Sequence, residues 1–222
     1  MKTYLLASAF TLIALPAAAA TFSSGHLYAG IGGGLILPQD IDVSVSGAIT
    51  GNGEISFDNG YQFGGFLGYH FTPMIAGELQ VDYASADYDQ VSGTLGGTSG
   101  SFDVNGDISA WTGFMNVLIT PPMDKFHPFI GGGIGLASYH DEINSVTIGG
   151  VTTAVNSDND DTSFAADGIV GFDYAFTKNF SLGARYQHMW VDSGSSETSG
   201  GIMVKTGDAN IDAITARATW KF

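Results

Sequence analysis

The 222-residue chain contains no cysteine, few basic residues and no long apolar run after its first 20 positions. The absence of cysteine excludes disulfides, a thiolate nucleophile and a thiolate metal site. Seven Lys and Arg residues stand against 22 Asp and Glu residues, which argues against a basic patch for nucleic acid, heparin or anionic lipid headgroups. A later spanning helix is excluded because it needs about 20 apolar residues. Stability must therefore come from packing or from lipid.

The first 20 residues have the pattern of a secretory signal peptide. Lys2 is their only charged residue, an apolar run extends from Tyr4 to Leu15, and Ala18 and Ala20 fit an AxA cleavage site. The run is too short for a helical membrane anchor, which needs about 20 apolar residues. We predict that residues 1–20 are cleaved after export through the general secretory pathway, and that residues 21–222 form one domain.

The rest of the chain is rich in glycine and alternates apolar with polar residues. Glycine occupies 32 positions. In the last segment, the even positions from Ile214 to Phe222 are apolar or small, and the odd positions from Thr215 to Lys221 are polar or small. A two-residue period places these sets on opposite faces of a strand, as in a strand with lipid on one side and a polar interior on the other.

Eight alternating segments can be marked in the chain. They are 26–37, 55–71, 75–90, 103–119, 127–140, 162–176, 180–193 and 209–222. Long polar connectors, at 38–54, 91–102, 141–161 and 194–208, alternate with tight turns. In bacterial outer-membrane barrels, which have an even number of strands, short turns face the periplasm and long loops face outside. We predict an all-β fold, an eight-stranded antiparallel up-and-down transmembrane β-barrel closed between the last strand and Tyr28 to Leu35, with four acidic extracellular loops.

Two halves of the chain resemble each other. Tyr28 to Leu35 matches Phe129 to Leu136, and Tyr69 to Thr72 matches Tyr174 to Thr177. The interval is far longer than a solenoid repeat, which favours two half-barrels closing one sheet. Neither glycine cluster meets GxGxxG, because Leu35 and Leu136 occupy the final glycine positions. We predict strand glycines facing a crowded lumen, so that Gly32→Trp impairs assembly.

The motifs resemble the small outer-membrane β-barrel family, which groups opacity-type surface proteins with the barrel domain of outer-membrane protein A. They are the aromatic-GxGxG strand from Tyr28 to Gly34, the Pro-aromatic-apolar-GxGxG strand from Pro128 to Gly135, and the final strand ending in Phe222. The resemblance covers residues 22–222 and implies a Gram-negative outer-membrane location. In this family a terminal aromatic residue resembles the signal read by the barrel-insertion machinery, so deletion of Phe222 is expected to reduce insertion.

Charged residues on the predicted strands should point into the lumen, because a lipid-facing Arg at the membrane midplane costs about 2–4 kcal/mol. The residues assigned to the lumen by parity are Glu78, Gln80, Asp82, Asp167, Asp173, Arg185, Gln187 and Arg217. An eight-stranded barrel is just wide enough for its own side chains, so unlike charges should pair and plug it. The alternative is a set of pairs that rearrange into a small gated pore.

No metal site, cofactor site or catalytic site is predicted. The five histidines, His26, His70, His127, His140 and His188, lack HxH and HExxH spacing. The acidic run from Asp158 to Asp161 offers oxygen ligands for calcium but lacks the EF-hand pattern, so a solvated loop tip is the preferred interpretation. A His188, Asp192 and Ser193 triad fails because these residues alternate between faces. We expect His188 to be an interfacial residue beside Trp190.

The function predicted from the sequence is structural and surface-presenting. A monomeric barrel in contact with outer-membrane lipid and lipopolysaccharide would project acidic loops that mediate adhesion or contact with a host or matrix ligand. A narrow channel or a carrier for a small apolar ligand is the first alternative, and a lipid A-modifying enzyme is the second. The sequence names no loop partner, because the loops offer no aromatic anchor.

Overall fold

The computed structural model describes residues 25–47, 50–95, 98–148, 151–192, 196–199 and 202–222. The predicted signal peptide lies outside these residues. Twelve strands are present in this part of the chain: β1 (His26–Pro38), β2 (Ile41–Gly47), β3 (Gly51–Phe57), β4 (Gly60–His70), β5 (Ile75–Leu95), β6 (Thr98–Ile119), β7 (Phe126–Ile148), β8 (Val151–Ala175), β9 (Phe180–Val191), β10 (Ser196–Ser199), β11 (Ile202–Thr206) and β12 (Ala209–Lys221). No helix within the described ranges is long and apolar enough to cross a membrane.

Eight of the strands, β1, β4 to β9 and β12, close into an antiparallel barrel. Most of these strands pair with the next strand along the chain. In the pairs β1–β4 and β9–β12, two short strands lie between the partners in the sequence: β2 and β3 in the first pair, and β10 and β11 in the second. The barrel closes where β12 pairs with β1, from Tyr28 opposite Lys221 to Pro38 opposite Ile211. The predicted fold and the predicted closure are therefore confirmed.

Alternation along each barrel strand separates an apolar outside from a polar inside. On β12, Trp220 is 41% exposed whereas its neighbour Thr219 is 2% exposed. On β5, Leu79 and Val81 point outward and are exposed, while Glu78 is buried. The two faces differ because a two-residue period turns successive side chains to opposite sides of the wall. The inward positions that parity predicted for the charged residues are confirmed.

Inward glycines make room for the large side chain that lies opposite on the next strand. Gly68 pairs with Tyr28, and a Cβ there would lie 2.0 Å from the Tyr28 ring. Gly30 pairs with Phe66, and a Cβ there would lie 2.2 Å from the Phe66 ring. The predicted crowding is confirmed at these positions. Gly32 has more room, since its Cβ would meet the Ala216 carbonyl oxygen at 3.2 Å.

The long connectors differ from the sequence prediction because most of their described residues are strands. β5 ends at Leu95 and β6 begins at Thr98. Likewise, β7 ends at Ile148 and β8 begins at Val151. Outside the barrel, the pairing order β10-β11-β2-β3-β5 extends the wall as a sheet. The Gly, Ser and Thr content suggested irregular loops, but β-branched Thr, Val and Ile favour strands wherever a partner strand is available.

The second predicted strand, 55–71, is in fact two strands. β3 ends at Phe57 and β4 begins at Gly60, with Asp58 and Asn59 between them. Asp, Asn and Gly favour turns, which explains the break. β3 then pairs with the extracellular part of β5, whereas β4 pairs with the membrane-spanning part of β5 and with β1.

Candidate functional site

The centre of the lumen is organised around the Glu78 carboxylate on β5. Its side chain is fully buried, with 0% exposure. Arg185 Nη1 donates to Glu78 Oε1 at 3.4 Å, and Arg217 Nη2 donates to Oε2 at 3.1 Å. The Tyr28 hydroxyl also donates to Oε2 at 3.1 Å. One carboxylate therefore joins β5 to three other strands, β1, β9 and β12, through charge-assisted hydrogen bonds, the stronger class of such bonds.

Arg185 extends this network towards the outer end of the barrel. Its Nη1 donates to Gln80 Oε1 at 2.8 Å, and its Nη2 lies 3.9 Å from Asp82 Oδ2. Gln80 Nε2 donates to Asp82 Oδ2 and, at 3.1 Å, to Gln187 Oε1. The two glutamines thus connect the ion pairs across the lumen, from β5 to β9.

Arg217 lies on the periplasmic side of Glu78. Its Nε is 3.3 Å from Asp173 Oδ1. Its guanidinium carbon lies 4.1 Å from the ring centroid of Phe66 and 4.8 Å from that of Phe129. A desolvated cation over aromatic faces is stabilised by about 2 kcal/mol. Charge pairing and ring contacts together hold this Arg inside the barrel.

Asp167 is bonded by amides instead of by a cation. Gln187 Nε2 donates to Asp167 Oδ2 at 2.6 Å. The two ends of the Asn116 amide lie 3.1 Å from Gln80 Oε1 and 3.0 Å from Asp167 Oδ1. Four acids and two arginines therefore share one network, in which amides supply the donors that the arginines do not.

The plug consists of buried side chains from six of the barrel strands. They are Tyr28, Glu78, Gln80, Asp82, Asn116, Asp167, Asp173, Arg185, Gln187 and Arg217, each no more than 9% exposed. Parity identified the charged members and both glutamines. It did not identify Tyr28, Asn116, Phe66 or Phe129 as partners, because cross-strand register decides which inward residues meet.

The comparisons with known proteins agree with this architecture. The model of the outer membrane protein beta-barrel domain family matches residues 5–222. The chain belongs to this family. It is accordingly a protein of the Gram-negative outer membrane, and its exposed apolar face is in contact with lipid. A comparison with curated proteins found no match.

Several solved outer-membrane barrels are similar to this chain. OprG of Pseudomonas aeruginosa is 17% identical, with a TM-score of 0.56, over 90% of this chain and 97% of OprG. Neisserial surface protein A is 17% identical, with a TM-score of 0.48, over 88% of this chain and 97% of its own. Ail of Yersinia pestis is 11% identical, with a TM-score of 0.44, over 90% of this chain and 99% of Ail. The likeness to OprG concerns the fold alone.

A cavity of about 300 Å³ lies between the plug and the periplasmic turns of this outer-membrane barrel. Three histidines line it, and the rings of His26 and His70 stack at 4.5 Å between centroids while His127 lies on another wall. The spacing of these histidines in the sequence does not indicate that they meet, because β1, β4 and β7 bring them together only in the folded barrel. In the described ranges, no three His, Asp or Glu side chains are placed to hold a metal ion. The absence of a metal site stays a prediction.

The outer wall carries a polar cluster around Asp212 on β12. The Tyr186 hydroxyl donates to Asp212 Oδ1 at 2.6 Å, and His188 Nδ1 lies 2.7 Å from the same oxygen. Gln39 Nε2 donates to Oδ2 at 3.2 Å. The ring of His188 meets that of Trp190 at 4.4 Å between centroids. The predicted contact of His188 with Trp190 is confirmed, and its acidic partner is Asp212.

A nucleophile is not placed directly opposite this His–Asp pair. The cross-strand partners of His188 are Asp212 and Gly168, and its neighbours on the same face of β9 are Tyr186 and Trp190. Ser193 of the rejected triad lies outside the described residues. Acyl hydrolysis needs a hydroxyl within reach of the imidazole, so these positions give no support to a hydrolase. The absence of enzyme activity stays a prediction.

The acidic run that offers oxygen ligands for calcium, and that the sequence predicts as a solvated loop tip, lies on β8. The backbone of Asp158 to Asp161 pairs with β7, opposite Glu142 to Tyr139. The Asp161 side chain is described: its Oδ1 accepts the Thr162 backbone N–H at 2.7 Å, and the Tyr139 hydroxyl donates to its Oδ2 at 3.4 Å. The side chains of Asp158 and Asp160 lie outside the described part of the chain. The run is therefore strand and not a loop tip, and calcium binding stays untested.

Proposed function

We propose that this protein is a non-conducting outer-membrane barrel that presents an acidic β-sheet outside the cell for contact with a host or matrix ligand. The observation that carries the proposal is the plug around Glu78. A pore needs a continuous water path, whereas the lumen here is occupied by buried, mutually bonded side chains from six strands. A rigid and closed barrel leaves the extracellular surface as the part available for contact.

The charge distribution supports contact with a cationic partner. The extracellular segments 39–59, 86–107, 140–163 and 192–208 contain 16 of the 22 acidic residues and one of the seven basic residues, Lys205. Such an excess of one sign produces a field that attracts cationic ligands and repels polyanions. The proposed partner is therefore a protein or peptide with a basic surface.

The form of the extension also supports this role. β2 pairs with β3 and β11, and β3 pairs with the outer part of β5. These ladders fix the backbone of the presented surface, so that binding orders fewer residues than it would in free loops. No described side chain of β2 or β3 is buried, which leaves their residues available for contact.

The test is binding of intact cells that display the wild type or a variant without the β2–β3 hairpin to a panel of basic and acidic matrix proteins. We expect the wild type to retain basic ligands and the shortened variant to retain fewer of them. Trp111→Phe, a substitution on the outward face that leaves the plug intact, is the control for surface amount. Equal binding by cells with and without the protein would contradict the proposal.

Conductance tests the closed lumen separately. We expect no stable channel for the wild type in planar bilayers, because the plug has no free path. Arg185→Ala removes a side chain that bonds Glu78 and Gln80, and is expected to give measurable currents. Stable wild-type conductance that changes in Arg185→Ala would support the gated pore instead.

A carrier for a small apolar ligand is a second candidate, favoured by an apolar layer above the plug. Inward residues there include Ile36, Phe114, Ala165, Met189 and Val191, all buried. β8 pairs with β9 from Ala165 towards the periplasm, and just above that ladder the Asp192 backbone N–H donates to the Phe164 carbonyl oxygen at 2.9 Å. Among the described strands, the segment 151–163 of β8 pairs with β7 alone, so within the described residues the wall is open on that side above Phe164.

The carrier is tested with an apolar fluorophore whose emission rises in a dry site. Ala165→Trp fills the layer and should abolish the rise if the layer binds the fluorophore. Trp111→Phe, on the outward face, is the control. No rise with the wild type would exclude the carrier, and it would leave the proposed contact role unaffected.

A further inference from the structure

The cluster around Asp212 contains a carboxylate on the lipid-facing side of the barrel. Directly below it on the same face, Ile214 and Leu35 are 54% and 59% exposed and thus face acyl chains. Because the strand is tilted, His188 lies about 20 Å higher in the membrane than Phe180, near the upper limit of an apolar band about 25 Å tall. The cluster therefore lies at the level where acyl chains end and headgroups begin.

Four polar groups converge here from separate parts of the wall. The Tyr186, His188 and Gln39 contacts with Asp212, between 2.6 and 3.2 Å, fix the carboxylate in one orientation. The side chains of Asp212 and His188 each remain 23% exposed, so hydrogen-bonding capacity is left for a group from the membrane side. Trp190 beside them is 49% exposed.

We propose that the Asp212 cluster (Gln39, Tyr186, His188, Trp190 and Asp212) binds the sugar headgroup of an outer-leaflet glycolipid. A carboxylate accepts charge-assisted hydrogen bonds from sugar hydroxyls. The second nitrogen of the imidazole bonds a neighbouring hydroxyl. An exposed indole at headgroup level offers an amphipathic ring against which the apolar face of a sugar packs.

The sugar, and not a phosphate, is the group recognised. An anionic carboxylate at the centre of the cluster repels phosphate. The described Lys and Arg side chains lie elsewhere: Lys125 and Lys178 in the periplasmic turns, Lys221 at the periplasmic end of β12, and Arg185 and Arg217 in the lumen. The inference needs only the outer-membrane location and does not depend on the proposed contact role.

The experiment measures lipopolysaccharide binding to the full barrel refolded in phosphatidylcholine bilayers. Rough lipopolysaccharide is added in steps, and lipid retained by the barrel is counted by native mass spectrometry. Asp212→Asn and His188→Ala are compared with the wild type. The matched control is Asp87→Asn, since Asp87 is an exposed carboxylate at the outer part of β5. Heat-modifiable migration checks folding of every variant.

We expect Asp212→Asn and His188→Ala to need at least fivefold more lipopolysaccharide for half-saturation, and Asp87→Asn to match the wild type. Should Asp212→Asn fail to fold, Tyr186→Phe removes one hydroxyl from the cluster and should give a smaller shift in the same direction. Equal half-saturation for all variants overturns the proposal.

Two further arms identify the group that is bound. Enzymatically dephosphorylated lipopolysaccharide should bind as well as the intact lipid, and loss of binding would assign recognition to phosphate and overturn the inference. Free core oligosaccharide should compete only at concentrations far above those of the lipid. Competition at equal concentration would show a soluble-sugar site instead of a lipid site.

Discussion

The membrane-spanning barrel and its extracellular extension are made of continuous strands, yet they differ in how far their side chains are buried. In the barrel, one side of each strand carries buried side chains such as Glu78 and Arg185, and the other carries exposed ones such as Leu79. In β2 and β3, no described side chain is buried. The barrel is therefore held by its interior as well as by its ladders, whereas the hairpin is held by its ladders and by surface contacts such as that between the Phe57 and Tyr88 rings.

This difference predicts where substitutions matter most, and Glu78→Gln should have the largest effect. The change leaves two buried arginines without their shared anion, and breaking a buried pair costs about 3–5 kcal/mol. Urea unfolding of the barrel in liposomes would measure the loss. Glu54→Gln on β3 is the control in the extension, and an equal loss there would remove the contrast between the two regions.

Substitutions at inward and outward glycines should differ in their effect on stability, by a smaller amount than Glu78→Gln and Glu54→Gln. Gly68→Ala places a methyl group 2.0 Å from the Tyr28 ring and disturbs the Tyr28 bond to Glu78. Overpacking of this kind costs about 1–3 kcal/mol. Gly113 faces outward with nothing within 4 Å of an added Cβ, so Gly113→Ala should be neutral or slightly stabilising. The midpoint of heat-modifiable migration compares the two, and equal midpoints would argue against a crowded lumen.

The sequence was sufficient to predict the barrel, because the two faces of the barrel wall have different surroundings. Parity placed Asp173 and Arg217 inside. It gave no indication that Phe66 and Phe129 lie over Arg217, because the sequence of one strand does not determine its register with other strands. The sequence pattern does not indicate the Asp212 cluster, because Asp212 has the lipid-facing parity and its partners lie on β9 and between β1 and β2. In the extension both faces meet similar surroundings, so composition misleadingly suggested loops.

Deletion of Phe222 should reduce the amount of inserted barrel without changing the stability of the barrel that forms. The Phe222 backbone N–H donates to the Leu27 carbonyl oxygen at 2.9 Å, a single bond at the end of the β1–β12 ladder. Fractionation of outer membranes gives the amount, and urea unfolding of the purified variant gives the stability. A large loss of stability in the variant would show that the residue acts in the fold and not as an insertion signal.

Removal of the β2–β3 hairpin should have the smallest effect on the barrel. Ile36 and Gly60 are directly paired at the outer end of the β1–β4 ladder, so a short turn can replace residues 39–58 without moving either strand. The variant loses the ladders of β3 with β5 and of β2 with β11 but keeps every residue of the plug. We expect its unfolding free energy to change by about 1 kcal/mol or less, the range of substitutions that leave buried groups in place. A loss as large as that of Glu78→Gln would mean that the extension supports the barrel, and that the two regions fold as one.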